Sequence, residues 1–280
     1  MAGAQTSGNL SVTFWGVRGS IACPGRRYER YGGNTSCLEV HCGSHLLVFD
    51  AGTGLRPLGD KLKAEGPRDI DLFLTHSHLD HIVGVPFFPP LFDPHSKVRF
   101  WAGHLLPDRR LRDVICTMMV APLFPVPIDI FAAATSFNDF SAGEILRPHE
   151  GLTLRTARLN HPNDATGYRV EYAGKSICYV TDTEHTGDQL DANIMGLVEG
   201  ADLLIYDSTY TEEEYTRHTG WGHSTWNQGL RLAEAAKVKT FVAFHHDPSH
   251  DDDFMDRLAN ELGKARPGSQ VAREGMTLTP

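Results

Sequence analysis

The sequence predicts an α/β protein built from two sheets packed together, with helices on the outside. Three observations predict it. Strands come early, parted by a tight turn; strand and helix alternate later; and neither a linker nor a short-period repeat divides the 280 residues. One domain spanning residues 1–280 is the expectation.

Leu10 to Gly16 alternates apolar and polar residues, as a half-buried strand does. Cys37 to His41 and His45 to Asp50 read as two further strands, parted by a Cys42-Gly43-Ser44 turn. Asp50-Ala51-Gly52-Thr53-Gly54 is small and flexible, and a helical stretch follows to about Ala64. Asp71 to Thr75 is an apolar run of buried-strand length. Strands recur at Lys97 to Trp101, Leu152 to Leu159, Gly167 to Tyr172 and Lys175 to Thr181. Then strand and helix alternate through Leu203 to Tyr206, Thr225 to Lys237, Thr240 to Phe244 and Asp252 to Lys264.

Phe87 to Phe140 breaks this rhythm. It holds Phe87-Phe88-Pro89-Pro90-Leu91-Phe92 and Ala121-Pro122-Leu123-Phe124-Pro125-Val126-Pro127. Prolines at that density oppose regular helix or central strand, yet the segment is too apolar for a disordered linker. It predicts an irregular cap that shields the core, walls the substrate site or forms a dimer contact.

Composition narrows the function classes. With 41% hydrophobic and 22% charged residues, a normal soluble core is expected. No apolar stretch approaches the roughly 20 residues needed to span a bilayer. Met1 to Asn9 is small and polar, unlike a signal peptide, so a frayed terminus and a cytoplasmic location are expected. The five cysteines form no C-x-x-C pair, which favours reduced, packed thiols. A net charge of −9 argues against tight binding to a long polyanion, though not against a small phosphorylated substrate.

The unusual count is histidine, at 15. His76-Ser77-His78-Leu79-Asp80-His81 ends an apolar strand, where side chains can converge on a point. Imidazole and carboxylate suit zinc and related divalent metals. His161, Asp182 and His245 each follow another predicted strand, so ligands from several strand ends can build one site. Two metals about 3.5–4 Å apart can share a hydroxide made nucleophilic at neutral pH.

These motifs resemble the metallo-β-lactamase superfamily, from about Leu10 to Leu278. The resemblance implies a four-layer αββα sandwich and a binuclear hydrolase with two divalent ions, zinc first and manganese or iron as alternatives. It implies that His76, His78 and His161 hold one metal, that Asp80, His81 and His245 hold the second, and that Asp182 bridges them. Asp80 also counts among the expected catalytic residues. His246 is the alternative to His245, which directly follows the apolar strand. The di-iron, oxygen-reducing branch resembles H-x-E-x-D, and His78 fills that middle place here, which favours hydrolysis over redox chemistry.

Asp207-Ser208-Thr209-Tyr210 and Gly222-His223-Ser224-Thr225 are similar to the ribonuclease Z and phosphodiesterase branch. By that resemblance Asp207 orients His223, and His223 acts at the scissile phosphate, with Ser224 beside it at the substrate. Glycines next to Arg18 would let its guanidinium approach an anion. No glycine-rich basic arm for transfer RNA is evident, so a small phosphodiester such as a cyclic nucleotide is preferred, hydrolysed by a homodimer. A hydrolase of a lactone, thioester or β-lactam is the main alternative. A ribonuclease Z-like tRNA 3′-processing nuclease and a non-enzymatic binding module are the others.

Overall fold

The computed structural model describes residues 9–187 and 189–280. Most of the polar start read above as a frayed terminus lies outside the described residues. The first half runs β1 (Leu10–Gly16), β2 (Cys37–Cys42), β3 (His45–Phe49), α1 (Leu55–Glu65), β4 (Asp69–Leu74), α2 (Leu79–Ile82), β5 (Lys97–Ala102), α3 (Leu111–Met118) and β6 (Ala134–Asp139). The second half begins with β7 (Ile145–Leu146), β8 (Leu152–Leu159), β9 (Ala165–Tyr172), β10 (Lys175–Val180) and α4 (Ala192–Val198). It continues with β11 (Leu203–Asp207), α5 (Glu212–His218), α6 (Trp226–Ala235), β12 (Thr240–Phe244), α7 (Asp252–Ala265), β13 (Gln270–Val271) and β14 (Thr277–Leu278).

Among the described residues these strands form two seven-stranded sheets, ordered β14-β1-β2-β3-β4-β5-β6 and β13-β12-β11-β10-β9-β8-β7. Each has an antiparallel part built from hairpins and a parallel part, β3 to β6 in one and β10 to β13 in the other. The last strand crosses back to the first sheet, where Val12 pairs with Leu278.

Strand periodicity explains the layering. In β1 the residues Leu10, Val12 and Phe14 point inward while their neighbours are half-exposed. They join Phe49, Phe73, Tyr168, Tyr179 and Phe244 in an aromatic core between the sheets. β11 is buried at every residue, as a parallel strand covered on both faces must be. Leu55, Leu58 and Leu62 of α1, with Ile115 of α3, cover the outer face of the first sheet. Leu197, Leu232, Met255 and Leu262 from α4, α6 and α7 cover the second. The architecture is thus the expected αββα sandwich.

The proline-rich segment is more regular than expected. Its proline-free interval from Leu111 to Met118 is a helix, and Ala134–Asp139 is the edge strand of the first sheet. The prolines sit in the connections and in short 3-10 turns, where a missing N–H costs little. Among the described residues, no helix is long and apolar enough to cross a membrane.

Candidate metal centre

Five strands end at one place. The segment after β4 supplies His76, His78, Asp80 and His81; β8 leads to His161, β10 to Asp182, β11 ends in Asp207, and β12 leads to His245. Asp182 and His245 take left-handed conformations, with φ of 57° and 63°. A residue with a Cβ rarely adopts that region, and it turns the chain sharply off each strand.

The side chains meet around the Asp182 carboxylate. Its Oδ1 lies 3.7 Å from His76 Nε2 and 3.7 Å from His161 Nε2. Its Oδ2 lies 3.3 Å from His81 Nε2 and 3.4 Å from His245 Nε2. Asp80 Oδ2 completes the second group, 3.3 Å from His81 Nε2 and 3.5 Å from His245 Nε2. His78 completes the first, its Nδ1 3.1 Å from His161 Nε2. Within each of the sets His76, His78, His161 and Asp80, His81, His245, the ligand atoms lie within 4.8 Å of one another.

Electrostatics and hydrogen bonding both fit this cluster to cations. Among the described residues, the buried Nε2 atoms of His76, His81 and His245 have no hydrogen-bond partner. Leaving such atoms unpaired is costly unless something else satisfies them, and a metal ion does. Burial opposes charge on His81, yet Asp182, Asp80 and Asp50 around it raise its pKa well above the ordinary value. Burial and the neighbouring His81 push His76 well below it. Against burial, His245 and His81 hold the Asp182 carboxyl well below the usual carboxylate range.

Three of the rings and the Asp80 carboxylate are held from behind. His161 Nδ1 donates to the Gly222 carbonyl at 2.8 Å, and His81 Nδ1 lies 2.8 Å from Asp50 Oδ2. His245 Nδ1 meets Thr209 Oγ1 at 3.0 Å, and the Ser20 N–H donates to Asp80 Oδ2 at 2.8 Å. Such outer contacts set the tautomer and aim Nε2 inward. A Cβ on Gly222 would come within 2.3 Å of His161 Nδ1, and φ there is 87°. Only glycine fits.

His245 and His246 are separated by their directions. His246 Nε2 turns away and donates to the Ala272 carbonyl at 2.8 Å. His223 stands beside the cluster, its Nδ1 3.9 Å from Asp182 Oδ1 and 2.9 Å from Asp207 Oδ2. Burial would lower the His223 pKa, but the Asp207 carboxylate outweighs it and raises the value to about 9. Asp207 is fully buried and also accepts from Thr209 N and Oγ1.

Two residues expected at the substrate, Arg18 and Ser224, are instead buried and bonded within the protein. Arg18 is fully buried, its Nε donating to the Gly32 carbonyl at 2.8 Å and its Nη1 to the His250 carbonyl at 2.6 Å. It ties the N-terminal segment to the loop after β12. Ser224 is also fully buried, its Oγ held by His185 Nδ1 at 2.9 Å and Tyr206 Oη at 3.1 Å. Thr225 caps α6 by accepting from Gln228 N.

Asp50, Thr209 and Ser20 carry no motif in the sequence that marks them as supports of the ligands. Asp50 had the same signal as Asp182, an acid directly after a buried strand, but the glycines around it suggested only flexibility.

Comparison with known proteins follows the same lines. Residues 45–246 match the family model described as Beta-lactamase superfamily domain. A ribonuclease Z of Haloarcula marismortui is 24% identical over 316 aligned positions, covering 95% of this chain and 96% of that protein. Among solved structures, a diphosphatase from the PhnP family has a TM-score of 0.70 at 19% identity, covering 97% of both chains. The short form of human tRNase Z has a TM-score of 0.68 at 20% identity, covering 96% of this chain and 98% of that one. At these identities the solved structures show the fold alone. The family model spans most of the chain, and the fold and the His/Asp cluster agree with it: the chain belongs to the β-lactamase superfamily, as a hydrolase with the metallo-β-lactamase fold.

Proposed function

We propose that this hydrolase is a metal-dependent phosphodiesterase acting on a small phosphodiester such as a cyclic nucleotide. The observation that carries the proposal is the His223–Asp207 pair at 2.9 Å, set against the metal cluster. A hydrolase of lactones, thioesters or β-lactams would leave that pair idle.

His76, His78 and His161 would hold one ion and Asp80, His81 and His245 the other, with Asp182 between them. Zinc is preferred, and manganese or iron also suits these donors. Such ions, when bound, supply Lewis acidity and make water a nucleophile near neutral pH. The chain supplies the rest. Asp207 accepts the Nδ1–H of His223, so the imidazole keeps its orientation and its tautomer. His223 can then offer its Nε2–H to a phosphoryl oxygen or pass that proton to the leaving oxygen.

A second reading is a nuclease acting on RNA. It is favoured by the ribonuclease Z relative that matches nearly end to end. The expectation from net charge that long nucleic acid is not a substrate gains no support from that relative. A homodimer and a cytoplasmic location complete the proposal. Leu79, Phe87 and Leu123, 66%, 53% and 74% exposed, border one apolar groove and suit a dimer contact.

The test is a substrate panel for the metal-loaded protein: bis(4-nitrophenyl) phosphate, a 2′,3′-cyclic nucleotide, an RNA with a 3′ extension, and a lactone. Turnover of the phosphodiesters well above that of the lactone is expected. Turnover of the lactone alone would overturn the proposal, and cleavage of the RNA alone would favour the second reading.

A further inference from the structure

Trp221 is 62% exposed, although it stands in the Gly220-Trp221-Gly222-His223 segment beside the metal cluster. An indole left in water forgoes burial that most tryptophans obtain. Its segment is nevertheless held firmly. Gly220 and Gly222 both have positive φ, 89° and 87°. Their N–H groups donate to the two carboxylate oxygens of Glu184, at 2.7 Å and 2.8 Å. The N–H of Trp221 donates to the His218 carbonyl at 3.1 Å, and the Gly222 carbonyl accepts from His161 Nδ1 at 2.8 Å. The peptides around the indole are thus pinned to the same framework that aims a candidate ligand.

A file of rings connects it to His223. Trp221 meets His218 edge-on, with centroids 5.0 Å apart and planes at 84°. His218 stacks on Tyr210 at 4.7 Å and 13°, and Tyr210 meets His223 at 6.0 Å and 79°. The perpendicular contact with His218 covers at most one face of the indole. A flat aromatic surface therefore stays open to solvent on a firmly held backbone, one residue from the carbonyl that orients His161 and two from His223.

We propose that Trp221 is a stacking platform for a nucleobase, which makes the substrate a nucleotide phosphodiester. The inference rests on the phosphodiesterase reading above and adds the chemistry that flanks the scissile phosphate. Stacking is insensitive to base identity, so recognition at this residue favours nucleotides as a class rather than one base.

The test compares AMP with ribose 5-phosphate, which keeps the sugar and phosphate and lacks the ring. Binding of each to the metal-loaded full chain is measured by calorimetry for wild type, Trp221→Ala and Trp221→Phe. Trp221→Ala should weaken AMP roughly tenfold or more and leave ribose 5-phosphate unchanged, while Trp221→Phe recovers most of the loss. Unchanged AMP affinity in Trp221→Ala overturns the platform. Equal weakening of both ligands also overturns it, since the loss then comes from loop geometry rather than from the ring. Hydrolysis of bis(4-nitrophenyl) phosphate is followed in parallel. A wild type that hydrolyses it but binds AMP no better than ribose 5-phosphate overturns the platform alone. A wild type that neither hydrolyses it nor binds AMP overturns both readings.

Discussion

Asp50 Oδ2 lies 2.8 Å from His81 Nδ1, and both residues are fully buried. Asp50 also accepts from Thr75 N at 2.8 Å, Thr75 Oγ1 at 3.0 Å and Tyr179 Oη at 2.8 Å. These contacts fix the Asp50 carboxylate in the core, where it holds His81 with Nε2 facing Asp80 and Asp182. A carboxylate behind a ligating imidazole raises its basicity and fixes its tautomer. Asp50→Asn should therefore bind metal about 10- to 100-fold more weakly on the His81 side, as such outer contacts typically contribute. Competition with a chelating dye measures it. Wild-type affinity in a folded Asp50→Asn protein would show that His81 needs no support.

The Asp182 carboxylate divides its oxygens, Oδ1 toward His76 and His161 and Oδ2 toward His81 and His245. Elemental analysis of wild-type protein should find close to two divalent ions per chain, because one tetrahedral site cannot use so many donors. Asp182→Ala should lose metal from both positions rather than from one. At most one ion per chain under metal-replete conditions would contradict the binuclear arrangement.

A carboxylate far from the metal cluster should govern part of the acid stability. Glu39 is buried and accepts from Trp15 Nε1, His41 Nε2 and Lys61 Nζ at 2.7–2.8 Å. Burial alone would raise its pKa, but these three donors win and lower it from 4.5 to about 2. The folded pKa lies below the unfolded one, so the stabilisation is complete above about 4.5 and is lost as pH falls toward about 2. Wild type should melt higher than Glu39→Gln at pH 6, and the gap should narrow steadily below pH 5. A gap that holds constant down to acid unfolding would show that Glu39 contributes no proton linkage.

The metal motif was legible because donors of the right kind crowd into His76–His81 and recur after predicted strands. Strand positions were legible for the same reason in reverse, since buried runs such as Leu203 to Tyr206 carry no polar residue. Two kinds of feature were not. Proline density averaged over Phe87 to Phe140 hid the proline-free stretches that form α3 and β6. The fate of Arg18 depends on carbonyls of Gly32 and His250, and the latter stands 232 residues away in sequence. No local pattern reports that such carbonyls will close around a guanidinium. The partners of Ser224, Tyr206 and His185, likewise come from other elements.

The central claim is that His223, oriented by Asp207, acts on charge that develops at phosphorus. The direct measurement is the steady-state kinetics of His223→Ala on a phosphodiester, with metal content first verified as normal. An interaction made only in the transition state appears in kcat rather than in KM. The account predicts a fall in kcat of about 10²–10⁴-fold with little change in KM. It also predicts that the double variant with Asp207→Asn is scarcely worse than His223→Ala alone, since the two residues act as one unit. Near-wild-type phosphodiester turnover by His223→Ala would contradict it.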